Sequence, residues 1–263
     1  MDIIRSKDNN KIKYIRNLNQ KKFRDREEAF VAEGVKFVYE ALNEKADIKL
    51  LLISEEALNK NEVDKLMASV DKDKVVVCSA KVFDSAADTV NAQGVLAVIN
   101  KNTPDPNEAA DRYPFIIMCD RIQDPGNLGA IMRCADAFGP AALIINKGCV
   151  DPYNPKVVRA SAGAVFRVPL LYWEDDAEIL NILKDKGFYI VSTVVDSEYT
   201  FDNMDKRNKI CLVIGNEGQG VADDIINNSD IALTIKMSGK AESLNASVAA
   251  GISIYEIRKK LLK

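Results

Sequence analysis

Phe115-Ile-Ile-Met-Cys-Asp-Arg-Ile-Gln-Asp-Pro-Gly-Asn-Leu-Gly-Ala-Ile-Met-Arg133 is the stretch from which the architecture is read. Its first five residues form an unbroken apolar run, the pattern of a strand buried on both faces. Asp124-Pro125-Gly126 turns the chain, and a helix is expected from about Asn127. Gly126 and Gly129 let backbone come close to a ligand or another element, which a Cβ would block. Arg133 lies under two helical turns beyond Asn127, so both can point toward the strand's carboxyl end. Ligands of open α/β sheets bind at that end. The stretch reads as a site, though alone it does not name the ligand.

Outward from it, the pattern repeats. Strands are expected at 142–146, 168–171, 188–194, 209–214 and 231–235. Helices are expected at 127–138, about 155–163, 176–186, about 221–228 and 243–261. Strand–helix alternation with continuous apolar strands argues a mostly parallel sheet covered on both faces. The first hundred residues also alternate, from a polar helix near 9–21 to a strand closing at Ile99, and describe a small α/β domain. Residues 100–112 are polar, hold two prolines and show no periodicity, which is a linker composition. Domains are therefore expected at 1–99 and 113–263, joined by a linker at 100–112.

Composition narrows the chemistry. The 263 residues contain no histidine, which removes the commonest general base and every Ser-His or Cys-His nucleophile scheme. Neither the cysteines nor the carboxylates show zinc spacing, and no metal is expected. The five cysteines (78, 119, 134, 149, 211) are scattered, and four sit in or beside apolar runs, so free thiols in a reducing cytosol are expected. No apolar run reaches the length of a membrane span, and the first residues lack the apolar core of a signal peptide. A cytoplasmic protein with no membrane partner is expected.

The net charge of −3 hides a gradient. Residues 1–26 hold nine Lys/Arg (5, 7, 11, 13, 16, 21, 22, 24, 26) against three Asp, leaving the rest of the chain acidic. A solvated helical face and a phosphate-binding arm, with Tyr14 and Phe23 free to stack or pack, explain this equally well.

Two further blocks share the style of the opening stretch. One is Leu212-Val-Ile-Gly215-Asn216-Glu217-Gly218-Gln219-Gly220, the other Ile235-Lys236-Met237-Ser-Gly-Lys-Ala-Glu-Ser243-Leu244-Asn245-Ala-Ser247. Each is a strand entering a loop of Gly, Asn or Ser with a carboxylate, then a helix start. Three such strand ends would build one pocket at the carboxyl edge of a parallel sheet. The glycine spacing of the second block fits neither the dinucleotide fingerprint nor a P-loop, and alone it describes a tight turn. A turn does not require Glu217. Ser243 is expected to cap the last helix, whose small-residue run 248–253 suits core packing or a subunit interface.

Together, Asn127-Leu-Gly-Ala-Ile-Met-Arg133, Ile214-Gly215-Asn216-Glu217-Gly218 and Ser243-Leu244-Asn245-Ala246-Ser247 resemble the three motifs of the SpoU (TrmH-like) branch of the SPOUT RNA methyltransferases. Phe30-Val-Ala-Glu33-Gly34 and Gln93-Gly94-Val-Leu-Ala-Val are similar to the small RNA-binding domain that many members carry ahead of the catalytic one. The resemblance implies an α/β fold with a small N-terminal RNA-binding domain and a C-terminal SPOUT domain. The latter would be a parallel sheet with its C-terminal segment threaded into a deep trefoil knot. It implies S-adenosylmethionine as cofactor, held at Gly215, Asn216, Gly218, Ile235, Met237 and Leu244. It implies a reaction centre of Arg133, Glu217, Ser243 and Asn245, with Asn127 holding the first loop. It also implies a homodimer through the C-terminal knot helices. One departure is Lys236, where members often have proline.

The implied reaction is methyl transfer to a ribose 2′-hydroxyl of RNA, first of large-subunit ribosomal RNA, second of transfer RNA. A guanidinium is a poor base, so Arg133 is expected to clamp the adjacent phosphate and stabilise the developing alkoxide. Two rivals fare worse. A nucleotide-dependent oxidoreductase needs a Gly-x-Gly-x-x-Gly turn with a later acidic residue, and a non-catalytic RNA-binding protein of this fold would be expected to lose Arg133, Glu217 or Asn245.

Overall fold

A computed structural model describes residues 2–89, 91–139 and 141–261. The outer bounds expected for the two domains, 1 and 263, lie outside the described residues. In chain order the elements are β1 (Ile3–Ile4), α1 (Asn10–Asn17), α2 (Lys21–Glu27), β2 (Ala29–Glu33), α3 (Val35–Asn43), β3 (Ile48–Ser54), α4 (Asn61–Ala68), β4 (Val75–Cys78), α5 (Ala80–Ala86) and β5 (Val95–Asn100). There follow α6 (Pro106–Arg112), β6 (Phe115–Cys119), α7 (Pro125–Ala137), β7 (Ala142–Asn146), α8 (Pro155–Ala160), β8 (Leu170–Trp173), α9 (Asp176–Asp185), β9 (Tyr189–Thr193), β10 (Ile210–Ile214), α10 (Asp223–Asn227), β11 (Ile231–Leu233) and α11 (Ala246–Lys260). They form two compact units: Met1–Lys101 with Tyr153–Phe166, and Asn102–Pro152 with Arg167–Lys263.

The first unit is built on a five-stranded sheet of order β1-β4-β3-β5-β2. β1, β4 and β3 run parallel, while β5 is antiparallel to both β3 and β2. Ile12, Ile15, Leu52, Phe83 and Leu96 sit in its core. The single helix expected near 9–21 is two. The Leu18 N–H closes α1, and Gln20 is extended before α2 starts. The basic segment is not uniformly solvated either. Arg24 is buried and Nη1 donates to Leu18 O at 2.8 Å, so it fastens this break rather than facing solvent. Tyr14 packs against the core with Lys49 Nζ 5.4 Å from its ring centre. α8, expected with the second half, belongs to this unit. It packs on β2, and Phe30 lies 4.7 Å from the Tyr153 ring and 6.2 Å from the Phe166 ring.

The second unit carries a six-stranded sheet of order β11-β9-β10-β6-β7-β8, parallel throughout. All residues of β6, β7 and β10 are buried, as their unbroken apolar runs require. Part of the expected structureless stretch 100–112 is α6. Its Pro106 occupies the first helical turn, where proline's missing N–H costs nothing, and Asp105 Oδ1 accepts from the N–H groups of Asn107 and Glu108. α7 likewise starts at Pro125, two residues earlier than expected, capped by Asp124. The last helix begins at Ala246 rather than 243. Asn245, not Ser243, is its cap, accepting from the N–H groups of Ser247 and Val248.

Candidate active site

In a parallel sheet every strand ends on the same edge, and here the polar residues that follow the strands meet. A cavity of about 380 Å³ opens there in the second unit, within the range of small-molecule sites. Its walls come from three strand ends and the approach to a helix. Thr193–Val195 follow β9, Gly215–Val221 follow β10, Ile235 and Met237 follow β11, and Ser243 and Leu244 precede α11. The six residues expected to hold the cofactor, Gly215, Asn216, Gly218, Ile235, Met237 and Leu244, all line it, as do Glu217 and Ser243. The β9 contribution was not visible in the sequence, because nothing in Thr193-Val194-Val195 departs from an ordinary strand end.

The loop after β10 is shaped by backbone. Asn216 and Gly220 exchange N–H···O bonds of 3.0 Å, and Asn216 Oδ1 accepts from Gly218 N (2.9 Å) and Gln219 N (3.0 Å). A Cβ at Gly215 would sit 2.2 Å from Val221 N and 2.3 Å from Gly220 C, so no side chain fits there.

One hydrogen-bonded chain joins the three motif blocks. Asn127 Nδ2 donates to Glu217 Oε1 at 3.0 Å, and Asn245 Nδ2 donates to Asn127 Oδ1 at 3.0 Å. Asn245 Oδ1 turns back to cap α11. Glu217 Oε1 also accepts from Asp124 N (3.2 Å), and Oε2 accepts from Gln123 N (3.4 Å). Burial raises the Glu217 pKa, but the Asn127 amide and these backbone N–H groups outweigh it and hold the carboxyl below its ordinary value. Glu217 is thus a fixed anion and acceptor, not a proton carrier near neutral pH.

Arg133 stands apart. It is exposed on α7, does not line the cavity, and makes no hydrogen bond or ion pair among the described residues. A further pair, Asp120 and Arg121 at the end of β6, leaves no mark in the sequence, because its partners lie far along the chain.

The cavity's donor set suits a nucleoside with a charged sulfonium. Ile214, Ile235, Met237 and Leu244 offer apolar wall, Glu217 and Asp223 offer negative charge, and the glycine loop offers backbone polar groups. Among the described residues no group of His, Cys, Asp and Glu is arranged to hold a metal ion, and no helix is long and apolar enough to cross a membrane. The five cysteines are free thiols, three of them buried.

Comparison with known proteins gives the same direction. The model of the SpoU rRNA Methylase family matches residues 114–255, and that of the MRM3-like substrate binding domain matches 9–97. The 23S rRNA (guanosine(2553)-2′-O)-methyltransferase RlmP of Bacillus subtilis is 29% identical over 258 residues, covering 98% of this chain and all of that protein. A crystal structure of AdoMet-bound rRNA methyltransferase from Sinorhizobium meliloti superposes with a TM-score of 0.87 at 29% identity, covering 100% of this chain and 99% of that one. The SpoU methyltransferase AviRb of Streptomyces viridochromogenes, in complex with AdoMet, gives 0.86 at 26% identity, covering 95% of this chain and 97% of its own.

Proposed function

The chain belongs to the SpoU rRNA methylase family, and from that premise we propose that it methylates a ribose 2′-hydroxyl of large-subunit ribosomal RNA with S-adenosylmethionine. The observation that carries the reading is the Glu217–Asn127–Asn245 chain beside the glycine-walled cavity. Ribosomal RNA is preferred over transfer RNA because RlmP, a 23S rRNA methyltransferase, matches nearly the whole chain, substrate domain included.

S-adenosylmethionine, when bound, supplies a methyl group already activated on a sulfonium. The residues of the chain then have to position the acceptor and accommodate its proton. Gly215, Asn216, Gly218, Ile235, Met237 and Leu244 would hold the cofactor through backbone and apolar contact. Ser243 lies at the cavity wall, where its hydroxyl is available to the ribose. Glu217 fixes Asn127, and Asn127 orients Asn245, so the three motif loops keep one spacing. Arg133 clamps the phosphate beside the target ribose and steadies the negative charge that grows on O2′ as the carbon–sulfur bond breaks and the carbon–oxygen bond forms. The proton leaves through that phosphate or a water, since the chain has no histidine and the lowered pKa of Glu217, whose oxygens already accept from Asn127 and backbone N–H groups, makes it a poor base.

Two features accompany this reading. Val248, Ile252 and Tyr255 are exposed along one face of α11, and the Phe138 ring lies tilted against Tyr255, centroids 5.6 Å apart. We assign this face to a second copy of the chain, and sedimentation of Tyr255→Asp as monomer would bear that out. The trefoil knot is the second. β10 lies between β9 and β6, and α11 packs on α7 and β10; an experimental chain trace that leaves α11 unthreaded would remove it. The protein is read as cytoplasmic, where its RNA substrate is.

Calorimetry with S-adenosylmethionine tests the activity first, followed by mapping of 2′-O-methyl sites in RNA from a deletion strain. Saturable binding and the loss of one ribosomal RNA methylation are expected. A protein that does not bind S-adenosylmethionine, or a lost modification in transfer RNA, would overturn the enzyme reading or its substrate respectively.

A further inference from the structure

The end of β6 carries an ion pair, a buried Asp120 with a partly exposed Arg121, that lies outside the three motifs. Asp120 is 0% exposed, and its carboxylate accepts four hydrogen bonds. Oδ1 accepts from Arg121 Nε and Asn146 Nδ2, both at 2.9 Å. Oδ2 accepts from Arg121 Nη2 at 2.9 Å and Ala222 N at 2.8 Å. Arg121 extends the hold along the same loop. Its Nη1 donates to Gln219 Oε1 at 2.9 Å and its Nη2 to Gly220 O at 3.1 Å, while its carbonyl accepts from Asn216 Nδ2 at 2.8 Å.

The arrangement is bought at a local cost. Arg121 has φ +54°, a left-handed backbone uncommon for a side-chain-bearing residue. A Cβ at Gly148 would come 3.1 Å from Arg121 Cγ, so a glycine leaves its stem room. Burying a carboxylate is expensive, and an ion pair made around one seldom adds net stability over apolar packing. What such a pair can supply is one conformation. The conformation in question belongs to the cavity, since Asn216, Gln219 and Gly220 line it while neither Asp120 nor Arg121 does.

We propose that Asp120 and Arg121 are positioning residues that hold the 216–222 loop in its binding shape before S-adenosylmethionine arrives. The inference rests on the cavity being the S-adenosylmethionine site. Preorganising a loop raises affinity by removing the ordering cost at the moment of binding. The charge state fits. Burial raises the Asp120 pKa, but its bonds to Arg121, Asn146 and Ala222 outweigh this and lower it, so the pair stays ionised through the neutral range.

Arg121→Lys keeps the charge and loses the fork; Asp120→Asn keeps the shape and loses the charge. For Arg121→Lys, the Kd and KM for S-adenosylmethionine should rise about tenfold, equivalent to about 1.4 kcal/mol. The kcat at saturating cofactor should stay within about twofold of wild type, which separates positioning from chemistry. In the ligand-free protein, hydrogen exchange at the Gly220 and Ala222 amides should accelerate. A folded Arg121→Lys variant with wild-type cofactor affinity would overturn the proposal, as would a lowered Tm with unchanged affinity and unchanged exchange. Should Asp120→Asn fail to fold, Arg121→Lys decides alone. A wild-type protein that does not bind S-adenosylmethionine would sink the cofactor reading instead. Exchange at Gly220 and Ala222 would then still report whether the pair holds the loop.

Discussion

The two sheets of this protein handle their strand ends differently. In the second unit all six strands are parallel, so the residues that follow them gather on one edge and build a cavity with a hydrogen-bonded chain beside it. In the first unit β5 and its neighbours run antiparallel, so strand ends fall on both edges. Polar residues there pair in scattered contacts instead, some local, as Lys21 with Asp25, and some distant, as Lys101 with Asp25 and Arg5 with Glu55. Parallel topology concentrates chemistry, whereas mixed topology leaves a surface whose contribution is spread over many charges.

That contrast can be broken most severely at Gly215. Gly215→Ala forces the loop to move, because the new Cβ would lie 2.2 Å from Val221 N. Cofactor affinity by calorimetry and kcat/KM in a methylation assay should both fall more than about 100-fold. Retained affinity would detach the cavity from the loop geometry. Next comes Arg133→Lys, expected to lower kcat by about 100-fold with cofactor Kd unchanged, since only the forked contact in the transition state is lost. Near wild-type turnover would refute the bidentate role.

The first unit should respond more gently. Lys7, Lys11 and Lys22 are exposed, and replacing all three by alanine should weaken RNA binding several-fold and lower the salt slope of log K by about 2. The kcat at saturating RNA should hold, and an unchanged salt slope would take this segment out of the interface. The smallest effect is on stability. The depressed Glu217 pKa contributes stability that is present above the ordinary glutamate value of about 4.3 and is lost as pH falls through the lower folded value. The Tm difference between wild type and Glu217→Gln should therefore be flat above about pH 5 and shrink only in acid.

Much of the second unit could be read from residues alone. Runs such as Phe115–Cys119 and Ile210–Ile214 are apolar at every position because both faces are covered. The same uniformity hides direction in the first unit, since Val95–Asn100 shows nothing that marks it as antiparallel. Pro106 reads in the sequence as a breaker, although proline after an aspartate also opens helices. Asn127, Glu217 and Asn245 could be picked out as polar residues in odd places, yet their bonding to one another spans 90 and 118 residues of sequence and is a fact of the fold. Asp120 and Arg121 are illegible in the sequence for the same reason: their bonds to Ala222 and Gln219 reach about a hundred residues along the chain.

The segment 153–166 has a consequence for how the protein is made. Phe30, 2% exposed in the finished fold, is covered in part by Tyr153 and Phe166. Synthesis runs from the N-terminus, and domains ordinarily fold as they emerge. Here the first unit must wait for more than half the chain to leave the ribosome before its aromatic cluster can close. During that interval the Phe30 ring lacks the cover that Tyr153 and Phe166 give it in the finished fold.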